Sequence, residues 1–323
     1  MRRKNFLLFL ISFLLFAVAC DRIVDDPISD EMARLQAWLQ VNKITTTPTA
    51  SGLYYTNIKD GVGSTPKDSN YVVMSYEVRD LDGNLYETTN KDVAKLYDIF
   101  TATKHYVPSY TQYLSKVSVL KGLAEGLSMM KEGGKAQLIM PSKLAYGAGA
   151  SGVSSYKTLI YDVELKKVVL DPKAYEKDSI SSYLSHHLGF TSFNDSLYYK
   201  KTKEGTRQCV VAKDSVVEVY YVGRFLDGFV FDTNIDTVAL KNNIYSSSKT
   251  YDALTFTVGS DSYTAGFNLA VQKMIEGEEA TFIIPSFNMY GNTGQTGGTA
   301  AIPPYATLIF DIKLVKVSFK GKQ

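Results

Sequence analysis

The sequence predicts an α+β chain made of two tandem copies of one small domain. Each copy is a small antiparallel curved sheet wrapped on a short helix, and each is preceded by a short amphipathic helix. Three observations carry this reading. The first is repetition: Leu53-Tyr54-Tyr55 and Pro141-Ser142 return 144 positions later as Leu197-Tyr198-Tyr199 and Pro285-Ser286, and Asp82-Gly83 returns 145 later as Asp227-Gly228. After one loop of unequal length, Thr158-Leu159-Ile160-Tyr161-Asp162 matches Thr307-Leu308-Ile309-Phe310-Asp311 at 149. Offsets that drift only at loops mark a duplicated fold, because loops absorb insertions and packed strands do not. The second is composition: 23 Tyr and 16 Phe against one Trp favour strands, and 45% hydrophobic with 21% charged residues is globular. The third is length, since 323 residues hold two domains that each bury a core.

The first 19 residues read as a signal peptide. Arg2, Arg3 and Lys4 precede an apolar run from Phe6 to Ala19, too short to span a bilayer comfortably and ending in Ala17-Val18-Ala19-Cys20. Cys20 after small residues resembles the lipobox of bacterial lipoproteins, which implies lipidation at Cys20 and a membrane contact through that lipid. Ala17 stands where that pattern usually has Leu, and Ala17-Val18-Ala19 also suits ordinary signal cleavage. Either way the chain is expected to be exported to the cell envelope; with the lipid it is anchored at a periplasmic or outer-membrane face. Only Cys20 and Cys209 are present, so no disulfide framework is expected, and Cys209 reads as a small core or edge residue. His105, His186 and His187 show no ligand spacing, so no metal site is expected. A net charge of +2 with intermixed signs gives no footprint for nucleic acid.

Taken in order, residues 20–50 are an anchor tether and a short helix, with Leu35, Trp38 and Leu39 at helical spacing over about 30–41. Ile180, Tyr183 and Leu184 repeat that stripe 145 positions on, so the helix belongs to the repeat unit. The first domain occupies 51–168, then a linker, short helix and leading strand fill 169–209, and the second domain occupies 210–318. Within each domain, β-branched and aromatic runs (Val72–Tyr76 and Val216–Tyr221) lead into Asp-Gly hairpins. A long polar connection follows, about 88–112 and 233–252. Next comes a brief helix with Leu123, Leu127 and Met130, or Phe267, Val271 and Met274, on one face, stopped by Gly133 and Gly277. Two further strands flank a Gly-rich loop. That loop, Gly291–Gly298, lacks the Lys-Ser/Thr ending of a phosphate cradle and reads as a mobile flap base.

The second copy resembles the FKBP-type peptidyl-prolyl cis–trans isomerases. The text that carries the resemblance is Val219-Tyr220-Tyr221-Val222-Gly223, Asp227-Gly228, Phe231-Asp232, Phe256-Thr257-Val258-Gly259, Gly266-Phe267, Pro285, Tyr290-Gly291, Ile302-Pro303-Pro304 and Thr307–Asp311. It covers about 210–318, in order and at family spacing. The resemblance implies a shallow aromatic cup of catalytic residues: Phe267 as floor, usually Trp; Tyr221, Phe231 and Phe310 as walls; Asp232 hydrogen-bonded to the wall Tyr; and Tyr290 as a rim hydroxyl reaching a substrate carbonyl. It also implies substrate contacts at Tyr263, at the Thr264 backbone N–H and at Ile302 in the flap. Tyr263 and Thr264 depart from the aliphatic pair expected there, and the Arg expected after Phe-Asp is absent near Thr237. Read alone, each Phe is equally a core aromatic, Tyr290-Gly291 a turn, and Asp232 a strand-end cap. A carboxylate among strand aromatics does need a partner.

The first copy is a degenerate pocket. Tyr76, Leu120, Tyr146, Val119, Gly122 and Gly147 fit the pattern, but Tyr86-Glu87 replaces Phe-Asp, Leu123 replaces the floor and Tyr161 replaces Phe310. Ser115 replaces a Gly, and Ser154-Ser155-Tyr156 stands where Ile-Pro-Pro should be. Glu87, one methylene longer than Asp, is expected to lose the hydrogen bond unless it shifts. The function implied is peptidyl-prolyl isomerisation that assists folding of exported and envelope proteins. The second copy is catalytic, the first weak or inactive, no cofactor is involved, and the partners are unfolded or Pro-containing client polypeptides. The alternatives are a non-catalytic holdase or assembly chaperone, and a lipoprotein component of an envelope machine with vestigial pockets.

Overall fold

The computed structural model describes residues 26–113, 120–150, 152–206 and 210–319. The expected signal peptide, Cys20, Ser115, Val119 and Cys209 lie outside the described residues. Contacts divide the chain into residues 1–44 and 45–323, and both copies of the sheet fall in the second unit. In the first unit, α1 (Pro27–Val41) begins where the Asp26 carboxylate accepts from the Ile28 and Ser29 amides at 3.2 and 3.3 Å. The start therefore lies upstream of the expected 30. Asp-Pro is itself the start signal, a cap followed by a residue with no N–H to leave unpaired. The same pair opens α4 (Pro172–His186), where Asp171 caps Lys173 and Ala174.

The first sheet contains β1 (Tyr54–Lys59), β2 (Tyr71–Asp80), β3 (Leu85–Thr88), β4 (Ser109–Gln112), β5 (Lys135–Met140) and β6 (Leu159–Val169). Its order is β1-β5-β6-β2-β3 with β4 also on β2, all antiparallel. The second contains β7 (Thr191–Phe193), β8 (Leu197–Lys203), β9 (Ser215–Arg224), β10 (Val230–Thr233), β11 (Leu254–Thr257), β12 (Glu279–Ile284) and β13 (Leu308–Phe319). Its order, β10-β9-β13-β12-β8-β7 with β11 also on β9, is the first sheet plus one edge strand. The leading strand expected within 169–209 is β8, and it pairs along β12, so the second sheet extends upstream of residue 210. Gly83 and Gly228 take φ of +86° and +90° at the two hairpins, a conformation that strains any residue with a Cβ.

One helix covers each sheet, α3 (Lys121–Ser128) in the first and α6 (Ala265–Gln272) in the second. Leu123, Leu127 and Met130 join the first core, and Phe267, Val271 and Met274 the second. The helices end at Ser128 and Gln272, earlier than expected, so Gly133 and Gly277 shape the turns into β5 and β12 rather than stopping a helix. The polar connections also hold short helices, α2 (Lys91–Leu96) and α5 (Asp236–Lys241). Each has only one buried residue, Ala94 or Ala239, and so shows no apolar stripe to read.

The two copies dock directly. His105, in the loop before β4, stacks over both Phe225 and Phe229 of the β9–β10 hairpin at 4.8 and 4.5 Å between ring centres, and its Nε2 lies 2.6 Å from Asp227 Oδ2. Nearby, Tyr110 on β4 stacks with Tyr71 on β2 at 5.0 Å and with Tyr175 on α4 at 5.9 Å. Tyr305 meets Tyr71 edge-on at 5.3 Å. Aromatic pairs at such distances add to simple area burial.

Candidate functional site

The second copy gathers its predicted site residues into one cluster. Phe267 stands in the first turn of α6, whose cap Thr264 accepts the Phe267 amide at 3.4 Å. Gly266 lets that turn settle on β12, because a Cβ there would lie 2.4 Å from Ile284. Phe310 on β13 meets the Phe267 ring edge-on at 5.2 Å, Phe231 on β10 meets Phe310 at 5.7 Å, and Tyr221 on β9 lies 5.9 Å from Phe267. Phe231, Phe267 and Phe310 are buried, whereas Tyr221, Tyr263 and Tyr290 pack against them half-exposed. The phenylalanines are thus core residues, with the three tyrosines on the more exposed side of the cluster. Phe256 on β11, 5.7 Å from Phe267 and 4.6 Å from Tyr263, joins the cluster although the site prediction left it out.

The strand layout explains why Tyr221 can face this cluster. β9 pairs with β13 along its length, while β10 and β11 share its other edge and leave a gap. The buried Asn234 side chain fills that gap. It accepts the Tyr221 amide at 2.7 Å and donates to the carbonyls of Val219 and Asp252. In the first copy Thr89 takes this place, accepting the Tyr76 amide on its Oγ1 at 3.0 Å. A buried backbone group left unpaired costs free energy comparable to a lost hydrogen bond, so both copies supply a side chain.

Asp232 is not a strand-end cap. Its Oδ2 accepts the Tyr221 hydroxyl at 2.7 Å, and its Oδ1 takes the Lys249 ammonium and the Thr299 hydroxyl, the latter at 3.2 Å. With no Arg near Thr237, the cation beside Asp232 is Lys249, from a loop 17 residues past the carboxylate. The repeat offset was the signal available. Lys104 stands 145 positions earlier and reaches Glu87 at 3.1 Å. The flap is fastened at its base, not loose: Gln295 and Ile302 exchange two backbone hydrogen bonds of 2.8 Å, and the Ile302 side chain is buried in the core.

The first copy keeps the frame but not the rings. Glu87 Oε1 accepts the Tyr76 hydroxyl at 2.9 Å and takes the Lys104 ammonium at 3.1 Å on the same oxygen, so the longer side chain keeps the bond that was expected to survive only with a shift. Tyr161 lies 6.0 Å from Tyr76 and hydrogen-bonds Tyr146 through its hydroxyl, Tyr86 donates to Asp80 at 3.3 Å, and Leu123 is the buried floor. Leu120 caps α3 without a side-chain acceptor, where Thr264 provides one. Among the described residues no group of three or more His, Cys, Asp or Glu is arranged to hold a metal, and no helix is long and apolar enough to cross a membrane.

Burial, with Asp232 beside it, pushes both the Tyr221 and Tyr290 hydroxyls above the usual tyrosine range, so both remain donors at neutral pH. Burial raises Tyr76, Tyr110, Tyr161 and Tyr199 as well. Above about pH 10 the unfolded chain releases tyrosine protons that the folded chain keeps, so folding stability must fall as pH rises. Denaturant unfolding at pH 8, 9.5 and 11 should show a falling midpoint; a constant midpoint would contradict this.

A sequence profile of the FKBP-type peptidyl-prolyl cis-trans isomerase family matches residues 63–166 and 208–315. The FKBP-type peptidyl-prolyl cis-trans isomerase FkpA of Escherichia coli (strain K12) is 34% identical over 129 residues, covering 40% of this chain and 42% of that protein. The probable FkpA of Neisseria meningitidis serogroup B is 37% identical over 129 residues, 40% of each. Among solved structures, the three FKBP domains of wheat FKBP73 align with a TM-score of 0.34 at 22% identity, over 84% of this chain and 97% of that one. The chain thus spans about two fifths of the length of these curated relatives.

Proposed function

Since the chain belongs to the FKBP-type peptidyl-prolyl cis-trans isomerase family, matched over well over half its length, we propose that its second domain isomerises Xaa-Pro bonds in exported polypeptides. The observation that carries this reading is the ring cluster closed by the Tyr221–Asp232–Lys249 contacts. An Xaa-Pro amide must lose its resonance to rotate, over a barrier of about 18–20 kcal/mol. The planar amide is more dipolar than the twisted one, so an apolar pocket that excludes water favours the twisted state. Tyr290 Oη and the Thr264 backbone N–H are the donors that orient the flanking carbonyls. A reduction of about 4 kcal/mol corresponds to roughly a thousandfold, within reach of preorganised donors and apolar walls. Asp232 acts by holding the Tyr221 ring in place, not by transferring a proton.

A protease-coupled assay on an Xaa-Pro tetrapeptide tests this. The wild-type chain should accelerate isomerisation, Asp232→Leu should lose at least about tenfold, and Tyr290→Phe about fivefold, the worth of one hydrogen bond. Wild-type rates equal to buffer alone would end the proposal. A second reading, a holdase without turnover, is favoured by the retained Tyr76–Glu87–Lys104 frame in a copy that lacks the Phe floor, since two linked weak sites gain avidity. Aggregation suppression that survives Asp232→Leu and Phe267→Ala would select it. Export and lipid anchoring are proposed from the N-terminal sequence: palmitate labelling of the expressed chain should vanish in Cys20→Ala, and unchanged labelling would place the lipid elsewhere.

A further inference from the structure

The flap of the second pocket touches the first copy. Tyr305 follows Ile302-Pro303-Pro304 in the chain and meets Tyr71 edge-on at 5.3 Å between ring centres. Each proline ring locks φ at about −65°, so the link from Tyr305 back to Ile302 is a stiff strut and not a hinge. The Tyr305 amide donates to the Gly291 carbonyl at 2.8 Å, which closes the base of the loop. At the other end, Thr299 Oγ1 donates to Asp232 Oδ1 at 3.2 Å, and the Ile302 side chain is buried in the second core. The flap thus runs from the Asp232 carboxylate to a ring of the first copy.

Tyr71 is built as a post. It is the first residue of β2, is buried, and is laddered to Gln112 on β4 and to Val169 on β6. Tyr110 stacks on it at 5.0 Å and on Tyr175 at 5.9 Å, so the second copy holds this tyrosine pair from two sides, through Tyr305 and Tyr175. The fold does not call for rings at these two positions. The matching ladder sites of the second sheet carry Val216 and Thr255. The backbone of Tyr305, by contrast, belongs to the repeat: its φ of +53° and its amide bond recur at Tyr156, with φ of +54° and a 2.8 Å bond to the Gly147 carbonyl. What the second copy adds at this corner is the ring contact to Tyr71.

We propose that Tyr71, although it belongs to the first copy, is a positioning residue for the second-domain pocket: it fixes Tyr305, and through Pro303-Pro304 it fixes Ile302 against the substrate. This deepens the isomerase reading and rests on it. It gives the first copy a task that needs no working pocket.

The test uses the full chain, as wild type, Tyr71→Leu, Tyr305→Asn, the double variant and Tyr71→Phe. Asparagine tolerates positive φ, so Tyr305→Asn removes the ring without adding backbone strain. Loss of one aromatic pair should raise KM for an Xaa-Pro tetrapeptide by about three- to tenfold in each single variant, with kcat within about twofold of wild type. Tyr71→Phe keeps the edge contact and should keep the wild-type KM. The double variant should match a single one, since both remove the same contact. Hydrogen exchange reads the coupling without substrate. The Ile302 and Gln295 amides bond each other's carbonyls at 2.8 Å, and both should exchange about three- to tenfold faster in the single variants while the β12 amides keep their rates. A wild-type chain without turnover would end the isomerase reading and leave the flap coupling to stand or fall on the exchange rates. Unchanged KM in either single variant of an active chain, unchanged exchange, or effects that multiply in the double variant would overturn the proposal.

Discussion

Glu176→Ala is expected to lower the stability of the second domain by about 3 kcal/mol, the largest effect of any single substitution considered. The carboxylate is buried and takes three donors, two from Ser286 and one from Thr307. Those two residues are the ends of the segment that carries Tyr290, Thr299 and Ile302. Glu176 therefore ties off a long loop at its base, and alanine leaves three donors unmatched while freeing the loop to wander. Glu176→Gln keeps an acceptor but presents an amide N–H₂ to at least one donor, so an intermediate loss is expected. Guanidinium unfolding monitored by near-UV circular dichroism measures both. A change under about 0.5 kcal/mol for alanine, the range of neutral surface changes, would refute the assignment.

Gly223→Ala should close the second pocket. Gly223 sits on β9 opposite both Asp232 and Phe310. A Cβ there would lie 2.6 Å from Phe231 Cζ and 3.1 Å from Phe310 Cε1, closer than carbon atoms pack. Overpacking of this kind costs about 1–3 kcal/mol, and here the atoms that must move are two pocket walls. Isomerase turnover is expected to fall more than about tenfold, while stability falls by about 1–3 kcal/mol, so the folded variant can be assayed at 10 °C. The first copy has already made a larger version of this change. Val78 occupies the equivalent position, paired with Glu87 and Tyr161, and is buried. That residue supplies a steric reason for the proposed weakness of the first copy, independent of the Glu87 hydrogen bond, which is present. Full wild-type activity in Gly223→Ala would remove that cause.

What was legible in the chain, and what was not, divides by the range of the interaction. Strand runs, Asp-Gly hairpins and the helix face of Leu123 and Leu127 are local patterns, and the repeat offset confirms each against its twin. The ring set of Phe231, Phe267 and Phe310 is spread over 80 positions and became readable only as an ordered set at family spacing. The contacts that complete the site were missed because their partners lie far along the chain and carry no pattern of their own. Lys249 is one lysine in a polar loop, Asn234 reads as a turn residue, and Glu176 reads as the solvent face of an amphipathic helix. The repeat did mark them, since Lys104, Thr89 and Glu31 stand at the matching offset. His105 had no such twin, Thr250 taking its place in the second copy, and its meeting with Asp227 comes from docking that no local rule foretells.

The imidazole laid over Phe225 and Phe229 bears on how this protein tolerates being cut. A fragment that begins at Pro172 would fold its own sheet yet lose the cover over both rings and the imidazole that bonds Asp227. The bared hairpin would become an adhesive spot, prone to self-association that the intact chain is spared. Proteolytic separation of the halves would thus create a molecule with a stickiness that neither half shows while joined.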